Sequence, residues 1–233
     1  MRVLIGAPVR QETGVFRLYR QGLDNLNTAG LTVDRCFVLH NSPHLVDELG
    51  EDDAYILHET PDPDVRDDHT HRWQDGNLRV VSAAKNWLME YAVREGYDAL
   101  FLVDSDLALH PETLQALVRA DKDIVAEAFW TAWQPGDEPL PNAWDYDSYG
   151  LADGSLDRWR QPGLYQVGMS GACILLRRPV LDAAKSGCNY SPLPNLTIWG
   201  EDRWFCIRAA AHGFRIWLDT HYPPAHLYRS ETV

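Results

Sequence analysis

The sequence lacks several features that mark particular classes of protein. The four cysteines of this 233-residue chain are Cys36, Cys173, Cys188 and Cys206. No two of them form a C-x-x-C pair, which argues against a zinc knuckle, a redox motif or a disulfide scaffold. The apolar run at Val3–Ile5 is too short for a signal peptide, and no run approaches the roughly 20 residues that span a bilayer. We therefore expect a cytoplasmic protein with free thiols and no transmembrane segment.

Basic residues are also scarce. Lys and Arg total 21 against 34 Asp and Glu, so the formal net charge is −13. The basic residues are scattered along the chain rather than gathered in one stretch. An acidic chain repels nucleic acid unless a basic patch lies on one face. We therefore expect no tight, nonspecific binding of DNA or RNA.

Short apolar runs alternate with amphipathic segments over most of the chain. Strands are predicted at Arg2–Gly6, Leu31–Leu39, Ala54–Leu57, Ala99–Val103, Ile124–Ala128, Tyr165–Val167, Ala172–Leu176 and Phe214–Leu218. Helices are predicted at Val15–Asn27, Leu78–Arg94, Pro111–Ala120, Pro179–Ser186 and Glu201–His212. This alternation favours an α/β fold with a mostly parallel central sheet flanked by helices. Because no linker-like segment divides the chain, we predict a single domain over residues 1–233.

Two segments break the alternation. Pro61–Gly76 is polar and rich in Pro, Asp and His, so it is interpreted as a loop. Trp130–Pro162 mixes tryptophan and tyrosine with Pro, Gly and Asp and shows no periodicity. A long irregular segment in a compact domain is often functional. Its aromatic rings suit sugar recognition, although the same rings also fill cores.

The sharpest motif is Asp104-Ser105-Asp106, which directly follows the predicted strand Ala99–Val103. In open α/β sheets ligands bind outside the carboxyl ends of the strands. Carboxylates placed there suit Mg²⁺ or Mn²⁺, which commonly bind one or two carboxylates together with substrate phosphates. The alternative is a pair of Asp residues that only starts a loop and caps the helix at Pro111.

Three weaker features accompany this motif. Gly200–Trp204 opens a helix with Glu201 and Asp202, which would supply a general base or simply complement the helix dipole. His226, near the C-terminus, would complete a metal site or lie on the surface. Lys85-Asn86, with Arg79 earlier on the same helix, would face a nucleotide diphosphate or only solvent.

In this order the motifs resemble the GT-A glycosyltransferase fold, and most closely glycosyltransferase family 2. The matching segments are Val3–Arg10, Ala83–Asn86, Asp104–Asp106, Gly168–Ala172, Arg177–Val180, Gly200–Asp202, Arg208, Gly213–Ile216 and His226. The resemblance covers nearly the whole chain. It departs at His40–His44, where the family often has an acidic pair followed by Ser-x-Asp.

The resemblance implies transfer of a sugar from a UDP- or GDP-linked donor to a hydroxyl of an unknown acceptor. Family 2 implies a single displacement with inversion, but retaining enzymes share the fold, so the sequence leaves both outcomes open. The implied donor contacts are Pro8, Arg10, Arg79, Asn86, Asp104 and Ser105. The implied ligands of Mn²⁺ or Mg²⁺ are Asp104, Asp106 and His226. The implied catalytic residues are Asp202, as general base, and Glu201, and the implied acceptor contacts are Trp130, Trp133, Gly171 and Trp204. Residues 1–106 would form the nucleotide-sugar-binding half and residues 107–233 the acceptor-binding half.

Three alternatives differ in chemistry. A sugar-phosphate nucleotidyltransferase would need a Gly-rich, basic loop after the first strand, which Gly6–Arg10 lacks. A noncatalytic carbohydrate- or nucleotide-binding module would not need Asp104, Asp106 and Asp202 together. A glycosyltransferase acting on modified nucleobases in DNA conflicts with the acidic charge.

Overall fold

The computed structural model describes residues 1–60, 75–132, 136–146, 148, 150–151, 154–198 and 200–228. Its strands are β1 Arg2–Val9, β2 Thr32–His40, β3 Ala54–His58, β4 Ala99–Val103, β5 Leu107–Ala108, β6 Ile124–Glu127, β7 Trp130–Thr131, β8 Leu140–Pro141, β9 Ala143–Trp144, β10 Leu164–Val167, β11 Met169–Ser170, β12 Cys173–Arg177, β13 Ile216–Asp219 and β14 Ala225–His226. Its α-helices are α1 Thr13–Asp24, α2 Asp75–Arg94, α3 Thr113–Arg119, α4 Ser155–Trp159, α5 Arg178–Ala183 and α6 Glu201–Ala211. Short 3₁₀ helices cover Pro43–Glu48 and Ala184–Ser186.

The main sheet has eight strands in the order β10-β13-β6-β12-β4-β1-β2-β3. The pairs β1–β2, β2–β3, β1–β4 and β6–β13 are parallel, which confirms the predicted α/β class. β12 runs antiparallel between β4 and β6, and β10 runs antiparallel to β13. Parallel pairing needs a crossover back to the other edge of the sheet. The described residues between β6 and β10 form no such crossover. The first residue of β10, Leu164, lies at the end of the sheet where β6 and β13 finish, so β10 runs antiparallel to both.

Both faces of the sheet are covered, as the prediction of a central sheet flanked by helices requires. Leu100 and Leu102 of β4 pack into a core formed with α2, α5 and α6. Phe101 and Val103, on the opposite face, pack into a second core formed with α1 and α3. β4 therefore lies at the centre of the molecule, and the motif that follows it is held by two cores.

The segments predicted to be irregular contain some regular structure. The first part of Pro61–Gly76, residues 61–74, lies outside the described residues, and Asp75 and Gly76 begin α2. Within Trp130–Pro162 the structure has β7 paired with β8, β9 paired with β11, and α4. These elements are too short for periodicity to reveal them. None of the described helices is both long and apolar enough to cross a membrane.

Candidate functional site

A cleft opens at the carboxyl edge of β1, β2 and β4. Val80, Val81 and Ala84 of α2 give it an apolar wall. The predicted site residues that line it are Pro8, Arg10, Asp104, Ser105 and Asp106. The cleft therefore lies where open α/β sheets bind their ligands.

Lys85 is buried beside this cleft, with 1% of its side chain exposed. Its ammonium nitrogen lies 2.8 Å from Asp202 Oδ1, 3.0 Å from Glu201 Oε1 and 3.4 Å from Asp104 Oδ1. Asp104 follows β4, whereas Glu201 and Asp202 begin α6. One ammonium group thus joins the two acidic motifs that sequence reasoning had identified separately.

The crowding of carboxylates alters their pKa values. Burial raises the pKa of Asp104 to about 8, with the charge of Lys85 opposing the shift and that of Asp202 adding to it. Burial also raises the pKa of Asp202 to about 6, again with Lys85 in opposition. Burial alone would lower the pKa of Lys85, but the three carboxylates raise it well above its ordinary value. Lys85 therefore stays protonated at neutral pH, in a site that has more carboxylates than cations.

The turn before β12 fixes Asp202 and Asp104 through a single backbone unit. Ala172 has a positive φ of 64°, a conformation that non-glycine residues seldom adopt. Its N–H donates to the Asp202 carboxylate, and its C=O accepts from the Asp104 N–H at 2.7 Å. A Cβ on the preceding Gly171 would lie 2.1 Å from the Asp202 carboxyl group. Gly171 therefore leaves the space that the Asp202 carboxyl group occupies. The positive φ of Ala172 is a form of backbone strain, which tends to be found at functional sites.

Backbone pairing brings His226 to Asp106 across 120 residues of sequence. β14 pairs antiparallel with β5, so that His226 is opposite Leu107. The N–H of Leu227 donates to the Asp106 carbonyl at 2.7 Å. His226 Nε2 then lies 3.5 Å from Asp106 Oδ2, and its Nδ1 lies 3.2 Å from Thr131 Oγ1.

These side chains suit a divalent cation that shares its coordination with a substrate. Asp104, Asp106 and His226 offer carboxylate oxygens and an imidazole nitrogen, the donor types that Mn²⁺ accepts. Burial raises the pKa of Asp104, and the neighbouring carboxylates of Asp202, Asp106 and Glu201 add to this shift, so a cation bound here would favour the ionised form. Among the described residues, no group of three or more His, Cys, Asp or Glu side chains is arranged to hold a metal ion by itself. Mg²⁺ held by one or two carboxylates commonly completes its coordination with substrate phosphates.

Two predicted donor contacts lie elsewhere. Arg79 is exposed on α2 and does not line the cleft. Asn86 also lies outside the cleft lining: its Oδ1 accepts from the Tyr190 N–H at 2.7 Å, and its Nδ2 donates to Ser191 Oγ at 3.4 Å. Asn86 thus anchors the loop after α5.

The predicted acceptor contacts are dispersed. Trp204 is buried in α6, where its Nε1 donates to the Ile198 carbonyl at 2.9 Å. Trp130 is half-buried beneath the guanidinium of Arg160, at 4.1 Å. Trp133 lies outside the described residues. Gly171 lies directly against the Asp202 carboxyl group.

Sequence reasoning missed the central position of Lys85. A signal was present, because Leu78, Ser82, Lys85, Met89 and Ala92 are spaced as one helical stripe and all are buried. A lysine within such a stripe needs a buried partner. The partners themselves, on β4 and α6, cannot be predicted from helix spacing.

Comparison with known proteins identifies the fold. No protein-family model and no curated protein matches the chain. Among solved structures, A197 from STIV is 14% identical over 97% of this chain and 86% of that chain, with a TM-score of 0.50. S. aureus TarS 1–349 is 11% identical over 97% of this chain and 60% of that chain, with a TM-score of 0.55. The same fragment in complex with UDP-GlcNAc gives 0.54.

The chain has the GT-A fold. At 11–14% identity the likeness extends to the fold alone. The chain also covers only 37% of the longer TarS structure. What the GT-A domain does in this protein must therefore be argued from its own cleft.

Proposed function

We propose that this protein is a glycosyltransferase that moves a sugar from a nucleoside-diphosphate sugar to an acceptor hydroxyl. The observation that carries the proposal is the bridge formed by Lys85 between Asp104, which lines the cleft, and Asp202. In this arrangement the candidate general base lies beside the motif proposed to bind the metal and the diphosphate. The TarS structure with UDP-GlcNAc supports a nucleotide-sugar donor for this fold.

The donor would occupy the cleft at the ends of β1, β2 and β4. Its base and ribose would pack against Val80, Val81 and Ala84, and Arg10 would add positive charge near the phosphates. A divalent cation, Mn²⁺ or Mg²⁺, held by Asp104, Asp106 and His226 would supply positive charge against the leaving diphosphate. Donors linked to UDP or GDP are the candidates to test first.

Asp202 would act on the acceptor. Its carboxylate is fixed by Lys85 and by the Ala172 N–H, so it cannot turn away from the bound hydroxyl. It would accept the hydroxyl proton as the new C–O bond forms and the sugar leaves the nucleoside diphosphate, in a single displacement with inversion. Burial raises its pKa to about 6, which suits a base that works near neutral pH. Glu201, bonded to the same ammonium, would orient the acceptor.

The test is the thermal stability of the protein with UDP, GDP and CDP, each with and without Mn²⁺. A ligand that binds only the folded state stabilises it, by about 2.7 kcal/mol at a concentration of 100 Kd. We expect one nucleotide to raise the melting temperature in the presence of the metal, and Asp106→Ala to abolish the shift. Asp182→Asn is the matched control, since Asp182 is exposed and pairs with Arg178.

Asp202→Asn separates binding from chemistry. It should keep the metal-dependent nucleotide shift and lose both sugar transfer and slow donor hydrolysis, by about 10²–10⁴-fold. If no nucleotide stabilises the folded protein, the glycosyltransferase proposal fails and a noncatalytic binding module becomes the better explanation.

A further inference from the structure

Arg203 differs from the other charged side chains around Asp202 because its guanidinium has no hydrogen-bonding or ion-pair partner among the described residues. It is half-buried in the first turn of α6. Its Cζ lies 4.1 Å from the centre of a Trp144 ring. The neighbouring Asp202 carboxylate attracts it from a distance but is bonded to Lys85 instead.

Other arginines in this acidic chain commonly form an ion pair with a carboxylate. Arg17 lies 2.7 Å from Glu48, and Arg158 lies 3.0 Å from Asp145, the residue next to Trp144. A partly buried charge without a partner costs free energy, because it loses water without gaining a hydrogen bond. Arg160 also stacks on an indole, but it is exposed and keeps its water. The burial of Arg203 therefore calls for a partner that the described chain does not supply.

The pair lies on the acceptor side of the site. Trp144 belongs to β9, where it is opposite Met169 of β11. β11 leads directly into Gly171, whose backbone touches the Asp202 carboxyl group. Neither Arg203 nor Trp144 lines the donor cleft. An anion held here would therefore belong to the molecule that approaches Asp202, and not to the donor diphosphate.

The chemistry of the pair selects the ligand. Stacking on Trp144 holds the guanidinium plane and leaves its edge of N–H donors open, which matches two oxygens of a phosphate or carboxylate. Because the site carboxylates repel anions, an anionic acceptor needs a cation at this position. We propose that Arg203 and Trp144 form a subsite for an anionic group, phosphate or carboxylate, carried by the acceptor. This inference rests on the proposed function, because it assigns a class to the acceptor whose hydroxyl reaches Asp202.

The test uses three small probes that share hydroxyl groups: glycerol, glycerol 3-phosphate and glycerate. Binding is followed by NMR on the indole N–H signal of Trp144, which is identified by its loss in Trp144→Phe. We expect a saturable shift of this signal with glycerol 3-phosphate or glycerate and none with glycerol. The anion that binds more tightly shows whether the subsite prefers phosphate or carboxylate. Arg203→Gln should weaken this binding at least about tenfold.

Two further variants make the result specific. Arg203→Lys keeps the charge but loses the planar fork, so an intermediate affinity is expected. Arg178→Gln is the matched control, because Arg178 begins α5 beside the amino end of β4 and pairs with Asp182. No saturable shift with either anion, or equal binding in Arg203→Gln, would overturn the subsite. UDP, GDP and CDP, each added with Mn²⁺ to the same variants and followed by thermal stability, report on the donor cleft, so the failure of all three would count against the glycosyltransferase proposal and not against the anion subsite.

Discussion

Two groups of buried carboxylates lie at the carboxyl edge of the same sheet, and they are neutralised differently. Around Asp104, Glu201 and Asp202 the compensating charge is the ammonium of Lys85. At the ends of the neighbouring strands β6 and β13, Glu127 lies opposite Asp219. Burial, together with the charge of Asp219, raises the pKa of Glu127 to about 9, so that Glu127 holds a proton at neutral pH and the pair carries one negative charge fewer.

The difference separates a reactive arrangement from a structural one. In the Lys85 group the ammonium opposes the effect of burial on the pKa of Asp104 and of Asp202, and the group borders the cleft, where its carboxylates can bind cations or accept protons. In the Glu127 group, backbone N–H groups donate to both carboxylates. The Tyr222 N–H donates to Glu127 Oε1 at 3.0 Å, and the His221 N–H donates to Asp219 Oδ1 at 3.0 Å. It therefore fixes the turn that leads to β14 and His226.

Replacing the ammonium should have the largest effect. Lys85→Met leaves Glu201, Asp202 and the partly exposed Asp104 without their cation, and breaking a buried ion pair typically costs about 3–5 kcal/mol. We expect the free energy of unfolding, measured by urea titration, to fall by that amount, and sugar transfer to be lost.

Lys185→Met, at an exposed lysine, is the control and should change stability by less than about 0.5 kcal/mol. The contrast between the two carboxylate groups would be lost if Lys85→Met were as stable as the wild type near pH 5 and lost stability as the pH rises. A proton would then replace the ammonium, and the two carboxylate groups would be alike.

A smaller effect is expected from crowding Asp202 without removing any charge. The Cβ of Gly171→Ala would lie 2.1 Å from the Asp202 carboxyl group, so that group must move. A displacement of about 1 Å at a catalytic group can lower the rate about 100-fold. Steady-state kinetics should show kcat reduced on this scale, while the metal-dependent nucleotide shift stays unchanged.

Gly76→Ala, in α2, is the matched control, because its Cβ would meet nothing within 4 Å. If Gly171→Ala keeps the wild-type kcat, Asp202 tolerates displacement and is not positioned as a base.

Much of the scaffold could be predicted from the sequence because its elements are long or fully buried. The strand Ala99–Val103 has the predicted ends, and the helix predicted at Leu78–Arg94 begins only three residues earlier, at Asp75. The position of Asp104 and Asp106 in the cleft follows from the strand that precedes them. These predictions depend on local periodicity and on where strands end.

The partnerships inside the site could not be predicted in this way. Lys85 meets residues more than 100 positions away on α6, and a lysine is ordinarily a surface residue. The motif that matched Asn86 gave no sign that its amide would anchor the backbone at Tyr190. Aromatic composition likewise gave no distinction between Trp204, in the core, and Trp144, beside the site.

The effect of replacing the proton at Glu127 should be close to zero near pH 5 and should grow as the pH rises. With a pKa of about 9 in the folded protein and 4.5 as its ordinary value, Glu127 holds a proton in the folded state that the unfolded chain releases. Stability must therefore fall as the pH rises between these values, by at most about 1.4 kcal/mol per pH unit from this group. Glu127→Gln reproduces the neutral, protonated form and cannot titrate. Urea unfolding should give nearly equal free energies of unfolding for the wild type and Glu127→Gln near pH 4.5. As the pH rises toward 9, the variant should become increasingly more stable than the wild type. Parallel pH profiles would instead mean that Glu127 is ionised in the folded state, so that both carboxylate groups would be charged and the contrast between them would disappear.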